Sequence, residues 1–143
     1  MKYHFKISQQ EDKFSAECVE LQGFRILGKS EGDLYNDLTE ALTQYLNNPL
    51  NFKKVIPVPN YNLKGKKIVP IKVDPKLAWA VLLKNARLAK GMTQMEAATA
   101  LHFKNIYAYQ KLESSKTANP ELATMVKIKK VFPELDLEEI FDR

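Results

Sequence analysis

The sequence predicts an α+β protein: a small N-terminal antiparallel sheet with one covering helix, followed by a C-terminal all-α bundle. Three observations predict it. Tyr3, Phe5 and Ile7, then Phe14, Ala16 and Cys18, alternate with polar residues at the period of half-buried strands. Leu34, Leu38, Ala41, Leu42, Tyr45 and Leu46 change to helical spacing. Past Asp74, signals for five short helices fit before the chain ends.

The first strand opens at Met1-Lys2-Tyr3-His4, and Gln9 to Lys13 is polar enough for the hairpin loop leading to the second. Gly23 punctuates the next turn, and Phe24 to Leu27 fits a short third strand. Ser30-Glu31-Gly32-Asp33 is a capping-box pattern that starts the covering helix, and Asn47-Asn48-Pro49 stops it. Five of the seven prolines fall between Pro49 and Pro75, so Val55 to Asn62 reads as extended, polyproline-like connector. Lys67 to Val73 alternates as an edge strand, because Pro70 lacks the N–H that a central position needs. The boundary is placed here: residues 1–73 form one unit, with 49–73 as its connector, and residues 74–143 the other. The last strand is left open to complete the front sheet.

In the rear half, Asp74-Pro75 is an N-cap followed by proline at the first helical position. Leu77 to Lys90 carries apolar residues on more than one side, and Gly91 ends it. Thr93-Gln94-Met95-Glu96 is a capping box for a second helix through Leu101. Leu101 to Lys104 turns the chain into a third helix, Asn105 to Glu113. Asn119-Pro120 is expected to cap a fourth, ended before Pro133, and Asp136 a short fifth. The second and third, joined by a tight turn, describe a helix-turn-helix bundle.

A net charge of +5 conceals three regions. Residues 1–52 hold five Lys/Arg against eight Asp/Glu, residues 53–130 sixteen against four, and the last thirteen one against five. An acidic front, a basic body and an acidic tail point to two faces with different partners. A single cysteine, Cys18, excludes an internal disulfide and a multi-thiolate zinc site. No run of 18 apolar residues and no leading signal segment is present, so the expectation is a cytoplasmic protein without membrane contact. No catalytic constellation, metal-ligand set or cofactor motif stands out. His4 reads as a lone structural residue, and the chain is expected not to be an enzyme. Asp33, Asp37 and Glu40 make an acidic stripe at i, i+4 and i+7 of the covering helix. They either solvate that face and favour the helix dipole or dock a basic partner.

The opening strand pair, Glu20-Leu21-Gln22-Gly23, Gly28-Lys29-Ser30 and Glu40-Ala41-Leu42 to Tyr45-Leu46 together resemble the HicB antitoxin family, over about residues 1–46. The family often carries a Pro-Asp-Leu-Pro-Gly-like turn where this chain has Val19-Glu20-Leu21-Gln22-Gly23. The resemblance implies a partial ribonuclease H-like fold without nuclease chemistry. It also implies a partner, a HicA-like toxin: a small basic ribonuclease with a double-stranded-RNA-binding-like fold and a catalytic histidine. On that basis Glu17, Asp33, Asp37 and Glu40 are the candidate toxin-binding residues.

Thr93-Gln94-x-Glu96-x-Ala98, Leu101, Leu112-Glu113, Asn119-Pro120 and the helix at Leu122 resemble Xre/Cro-type repressor domains, over about residues 77–141. Two features depart from the pattern. His102 and Phe103 stand where a turn glycine is expected, and the interval from Thr93 to Glu113 is one residue longer than usual. In such a domain the second helix meets a phosphate at its N-terminus, where Gln94 adds a side-chain donor. The third enters the major groove. Tyr109 and Leu112 then turn inward, while Tyr107 and Lys111 face outward with Asn105 and Ile106 at the leading end. Lys111 suits guanine, Asn105 adenine and Ile106 a thymine methyl. Lys104, Lys116 and Arg87 are candidate phosphate contacts. The bland alternatives are Tyr107 as a core residue and the two lysines as plain surface. Phe132, Leu135, Leu137, Ile140 and Phe141 are expected partly to close the bundle and partly to form a homodimer, open to further pairing as a tetramer. A dimer reads a palindromic operator whose half-sites lie about 34–36 Å apart, or a multiple of that.

Three functions are weighed. The first is a HicB-like antitoxin that occludes a ribonuclease toxin and represses its own operon. The second is a stand-alone helix-turn-helix repressor whose front domain senses a small ligand or partner. The third is an active metal-dependent nuclease, which needs converging carboxylates that Glu17 and Glu20 do not supply from opposite faces of a strand.

Overall fold

A computed structural model describes residues 1–141. Strands β1 (Lys2–Gln10), β2 (Lys13–Cys18), β3 (Arg25–Gly28) and β4 (Ile68–Lys72) form one antiparallel sheet in the order β3-β2-β1-β4. Alternation decides its faces. Tyr3, Phe5, Ile7, Ala16 and Cys18 are buried, and helix α1 (Glu31–Asn47) adds Leu34, Leu38, Leu42 and Leu46 to the same core. Ser30 caps α1, its Oγ accepting the Asp33 N–H at 3.1 Å. The strand left open by the sequence completes this sheet. β4 pairs with β1, and Pro70 lies opposite His4 on the outer edge, where a residue without an N–H is tolerated.

Asp74 starts helix α2 (Pro75–Ala89), its Oδ1 accepting the Lys76 N–H at 2.9 Å. Every residue from Leu77 to Arg87 is buried, the consequence of apolar residues all round the helix. One hydrophobic cluster runs from Tyr3 and Phe5 through Val73 and Trp79 to Tyr109 and Phe132, so front sheet and rear helices share a core. Asn85 pins the connector to α2. Its Oδ1 accepts the Ile56 N–H at 2.9 Å and its Nδ2 donates to the Ile56 carbonyl at 2.7 Å. Trp79 Nε1 donates to the Leu112 carbonyl at 3.1 Å, holding the next layer.

Gly91 ends α2 at φ +65°, the left-handed position that glycine fills without steric cost. Helices α3 (Gln94–Ala100), α4 (Ile106–Leu112) and α5 (Leu122–Val131) follow, then a 3₁₀ turn, Leu137–Ile140. Thr93 caps α3, accepting the Glu96 N–H at 3.1 Å. His102 takes φ +57° in the turn to α4, the conformation for which a glycine was expected.

Three expectations are corrected. The N-cap of α5 is Glu121, not Asn119, and it makes no side-chain cap bond; its extended backbone (φ −70°, ψ 156°) leaves Pro120 ahead of the helix. The fifth helix is a single 3₁₀ turn, although Asp136 caps it as expected. In the tail, Phe132 and Leu135 are buried and Leu137 and Ile140 half-buried, so Phe141, 67% exposed, is the one strongly exposed member of that apolar set. No helix among the described residues is long and apolar enough to cross a membrane.

Candidate nucleic-acid interface and acidic surfaces

Helix α4 is fixed by its inner face. Tyr109 and Leu112 are buried and belong to the common core together with Leu101, Ala97 and Trp79. The opposite face is thereby turned outward. Tyr107 is 69% exposed and Lys111, one turn on, is exposed beside it. Lys104 in the preceding turn and Lys116 in the following loop are exposed as well, and Ile106 is half-buried. Tyr107 is therefore not a core residue. Five of the seven expected DNA-binding residues, Lys104, Asn105, Tyr107, Lys111 and Lys116, are exposed on α4 and its flanking turns.

Asn105 and Gln94 are committed elsewhere in part. Asn105 is the N-cap of α4, its Oδ1 accepting the Ala108 N–H at 3.1 Å. Reading adenine through both ends of the carboxamide would break that cap. Gln94 accepts from Gln110 at 3.1 Å and donates to Glu113 Oε1 at 3.4 Å, which joins the leading end of α3 to α4.

Arg87 is not a phosphate contact. It is 8% exposed and grips Glu113 at both ends, Nε to Oε2 at 2.8 Å and NH2 to Oε1 at 2.6 Å. Its NH1 donates to the Met92 carbonyl at 2.8 Å. The planar fork matches the carboxylate, and the hydrogen bond to Glu113 raises the guanidinium's pKa further. Lys84 is fully buried in the same region. Burial lowers its pKa to about 8; Glu113 opposes the shift and Arg87 adds to it. Burial, then Glu113, pushes the Tyr109 phenol upward. This polar cluster fixes α4 relative to α2 and α3. The sequence offered one signal for it: Lys84, Asn85 and Arg87 interrupt a stretch that is otherwise apolar from Leu77 to Ala89.

The acidic candidates separate into two surfaces. Asp33, Asp37 and Glu40 are exposed along the outer side of α1. Glu17 does not join them. Its neighbours Ala16 and Cys18 point into the core beneath α1, so Glu17 points to the opposite face of the sheet. There it lies directly between Lys6 of β1 and Arg25 of β3, an arrangement that offsets its charge. The outer face of the sheet and the outer side of α1 lie on opposite sides of this two-layer unit, so one flat partner surface cannot cover both.

His4 is not alone. Glu20, beyond the end of β2, folds back so that its Oε1 lies 2.6 Å from His4 Nδ1 and its Oε2 accepts the His4 N–H at 3.0 Å. Both side chains are buried. Asn60 donates its N–H to Glu20 at 3.3 Å, which ties the connector to the sheet. Cys18 Sγ points at Glu20 Oε2 from 3.7 Å, and burial pushes the thiol up to about 12, which keeps it protonated and inert. Glu20 is committed to His4 and Glu17 lies between Lys6 and Arg25, and no group of three or more metal-ligating side chains occurs among the described residues. The sequence separation of His4 and Glu20 conceals this pair.

No family model matches the chain, and no curated protein matches it.

Proposed function

We propose that the chain is an antitoxin of the HicB type, with a partial ribonuclease H-like front and a helix-turn-helix rear, that represses its own operon. The observation that carries the reading is the α3–α4 pair. It is a short helix, a five-residue turn and a second short helix locked by Arg87–Glu113, with Lys104, Tyr107, Lys111 and Lys116 exposed on the outer side. An aromatic residue and a lysine on one exposed helix face, with a lysine in the turn on either side, suit a duplex: the lysines meet phosphates and base edges, and the ring packs against sugar or thymine methyl. The acidic stripe on α1 supports a basic partner, and occlusion of a small ribonuclease requires no chemistry from this chain. Two copies acting on a palindrome supply the affinity that one short recognition helix lacks.

The test is binding of a labelled duplex from the region upstream of the gene, followed by anisotropy at several salt concentrations. Lys111→Ala is expected to cost roughly 1–3 kcal/mol and relax sequence preference, while Lys116→Ala weakens all duplexes alike and flattens the salt slope. If neither changes binding, the groove assignment is wrong. A second arm asks whether a small basic protein is encoded beside the chain, adds the chain to it and reads RNA cleavage. Duplex binding with unimpeded cleavage would make the chain a stand-alone repressor.

A further inference from the structure

Two apolar surfaces flank the tail, and their rims carry opposite charge. One is the outer face of α5, where Leu122 is 81% and Val126 56% exposed, beside Met125, Lys129 and Lys130 in an open dish of about 610 Å³. The other is a groove of about 310 Å³ between α2 and the connector. Leu82, Ala86 and Ala89 form its floor, Val55 and Val58 its far wall, and Glu134, Asp136 and Glu139 its rim. We infer that the two are complementary halves of one interface: α5 of one copy seats in the groove of a second copy, and the reverse contact forms at the same time.

Shape and charge both support this occupant. Leu122, Val126 and Lys129 are spaced i, i+4, i+7, and so are Leu82, Ala86 and Ala89, so each row spans about 10 Å. Large side chains on α5 face small ones on α2, the pairing that lets helix ridges enter grooves. Lys129 Nζ is held by its own chain, donating to the Pro133 and Leu135 carbonyls at 2.6 and 2.7 Å. Its methylene stem is then left to extend the apolar row, and Lys130 is left to meet the acidic rim. Glu134 is half-exposed and lies 4.0 Å from Lys90 Nζ, a loose contact that leaves room for a second cation. Each copy offers both halves, so about a two-fold axis the two contacts form together and close the assembly at a dimer. It covers more than an α5–α5 contact alone, which would oppose like-charged lysines and leave both grooves open.

This inference rests on the proposed pairing of copies and names its surfaces, and its test uses no DNA. The full chain is run by analytical ultracentrifugation as wild type, as Val126→Glu, and as Ala86→Glu. Val126 is exposed, whereas Ala86 is a buried residue of the groove floor. Circular dichroism checks the fold of each variant, and Ala89→Glu, at the exposed end of the same row, repeats the groove arm without a buried charge. Wild type is expected to dimerise, and each variant to raise the dimer dissociation constant tenfold or more. Mixing the two variants is expected to restore association, because the mixed dimer keeps one unaltered α5 against one unaltered groove. The charge swap Glu134→Lys with Lys130→Glu is expected to dimerise better than Glu134→Lys alone. A wild type that stays monomeric overturns the pairing itself. A dimer that ignores Ala86→Glu, or a mixture that stays monomeric, overturns only the reciprocal contact and leaves α5 against α5.

Discussion

Replacing Glu113 by glutamine is expected to cost about 3 kcal/mol, and the reason is local. The carboxylate is 1% exposed, the Arg87 guanidinium that grips it at 2.6 and 2.8 Å is 9% exposed, and Lys84 is buried nearby. Breaking a buried pair typically costs about 3–5 kcal/mol, because the remaining charge has lost both water and partner. Glutamine keeps one acceptor for the guanidinium, which places the loss near the lower end. Urea unfolding of the full chain measures it: at a slope of about 2 kcal/mol per molar, the midpoint falls by about 1.5 M. Arg87→Met combined with Glu113→Leu recovers more than half of the loss, since neither charge of the pair then has to be desolvated. A midpoint shift below about 0.3 M for Glu113→Gln would mean that the cluster is wetter than its burial states, and the account of how α4 is fixed would fail with it.

Lys84 gives a pH signature. Its pKa is about 8 when folded, against an ordinary 10.5, so between these values the unfolded chain binds the extra proton and stability from this group rises with pH. Lys84→Met is therefore expected to be more stable than wild type at pH 7 by roughly 1–3 kcal/mol, with the advantage shrinking toward pH 9.5. The comparison of the two chains also removes the opposing contribution of Tyr3, Tyr109 and Cys18, whose raised pKa values lower stability as pH climbs; an advantage that does not change with pH would refute the assignment. Asn85→Ala leaves the Ile56 N–H and carbonyl buried without their partner, and thermal unfolding should show a loss of about 2 kcal/mol. Gly91→Ala should cost about 1 kcal/mol, purely from the backbone at φ +65°, because a Cβ there meets nothing within 4 Å. His102→Gly should move stability the other way by about 0.5 kcal/mol, relieving φ +57° at some entropic cost.

Local periodicity made the elements legible. Strict alternation placed β1 and β2, a proline placed β4 on an edge, and leucines four apart placed α1 against the sheet. Capping residues at Ser30, Asp74 and Thr93 located three helix starts closely. Asn119-Pro120 misled because proline is common both inside a first turn and just before one. The side of the sheet on which Glu17 falls was legible from parity alone: its neighbours are the buried Ala16 and Cys18. Charge composition concealed this, since grouping acids by segment ignores which face each one reaches. The pairs His4–Glu20, Asn85–Ile56 and Arg87–Glu113 were not legible at all. Each joins residues that only tertiary packing brings together, and no spacing rule constrains such distances.

Those three pairs also decide how far the two halves can act independently. Glu20 ties the connector to the sheet through Asn60, Asn85 ties the same connector to α2, and α2 is locked to α4 through Arg87 and Glu113. At the far end, Ser115, beside Lys116, donates to Asn47 at the last turn of α1 with a 2.8 Å bond. The acidic stripe therefore sits on a helix whose other end is bonded to the loop that follows α4, between the exposed Lys111 and Lys116. Glu40 and Asn47 are seven residues apart, about 10 Å along the axis. A partner of ordinary domain size centred on the stripe would reach that loop. On the proposed reading, protein docking and duplex binding then share an edge, and the basic and acidic regions of the sequence act as neighbouring surfaces of one body, not as independent modules on a tether.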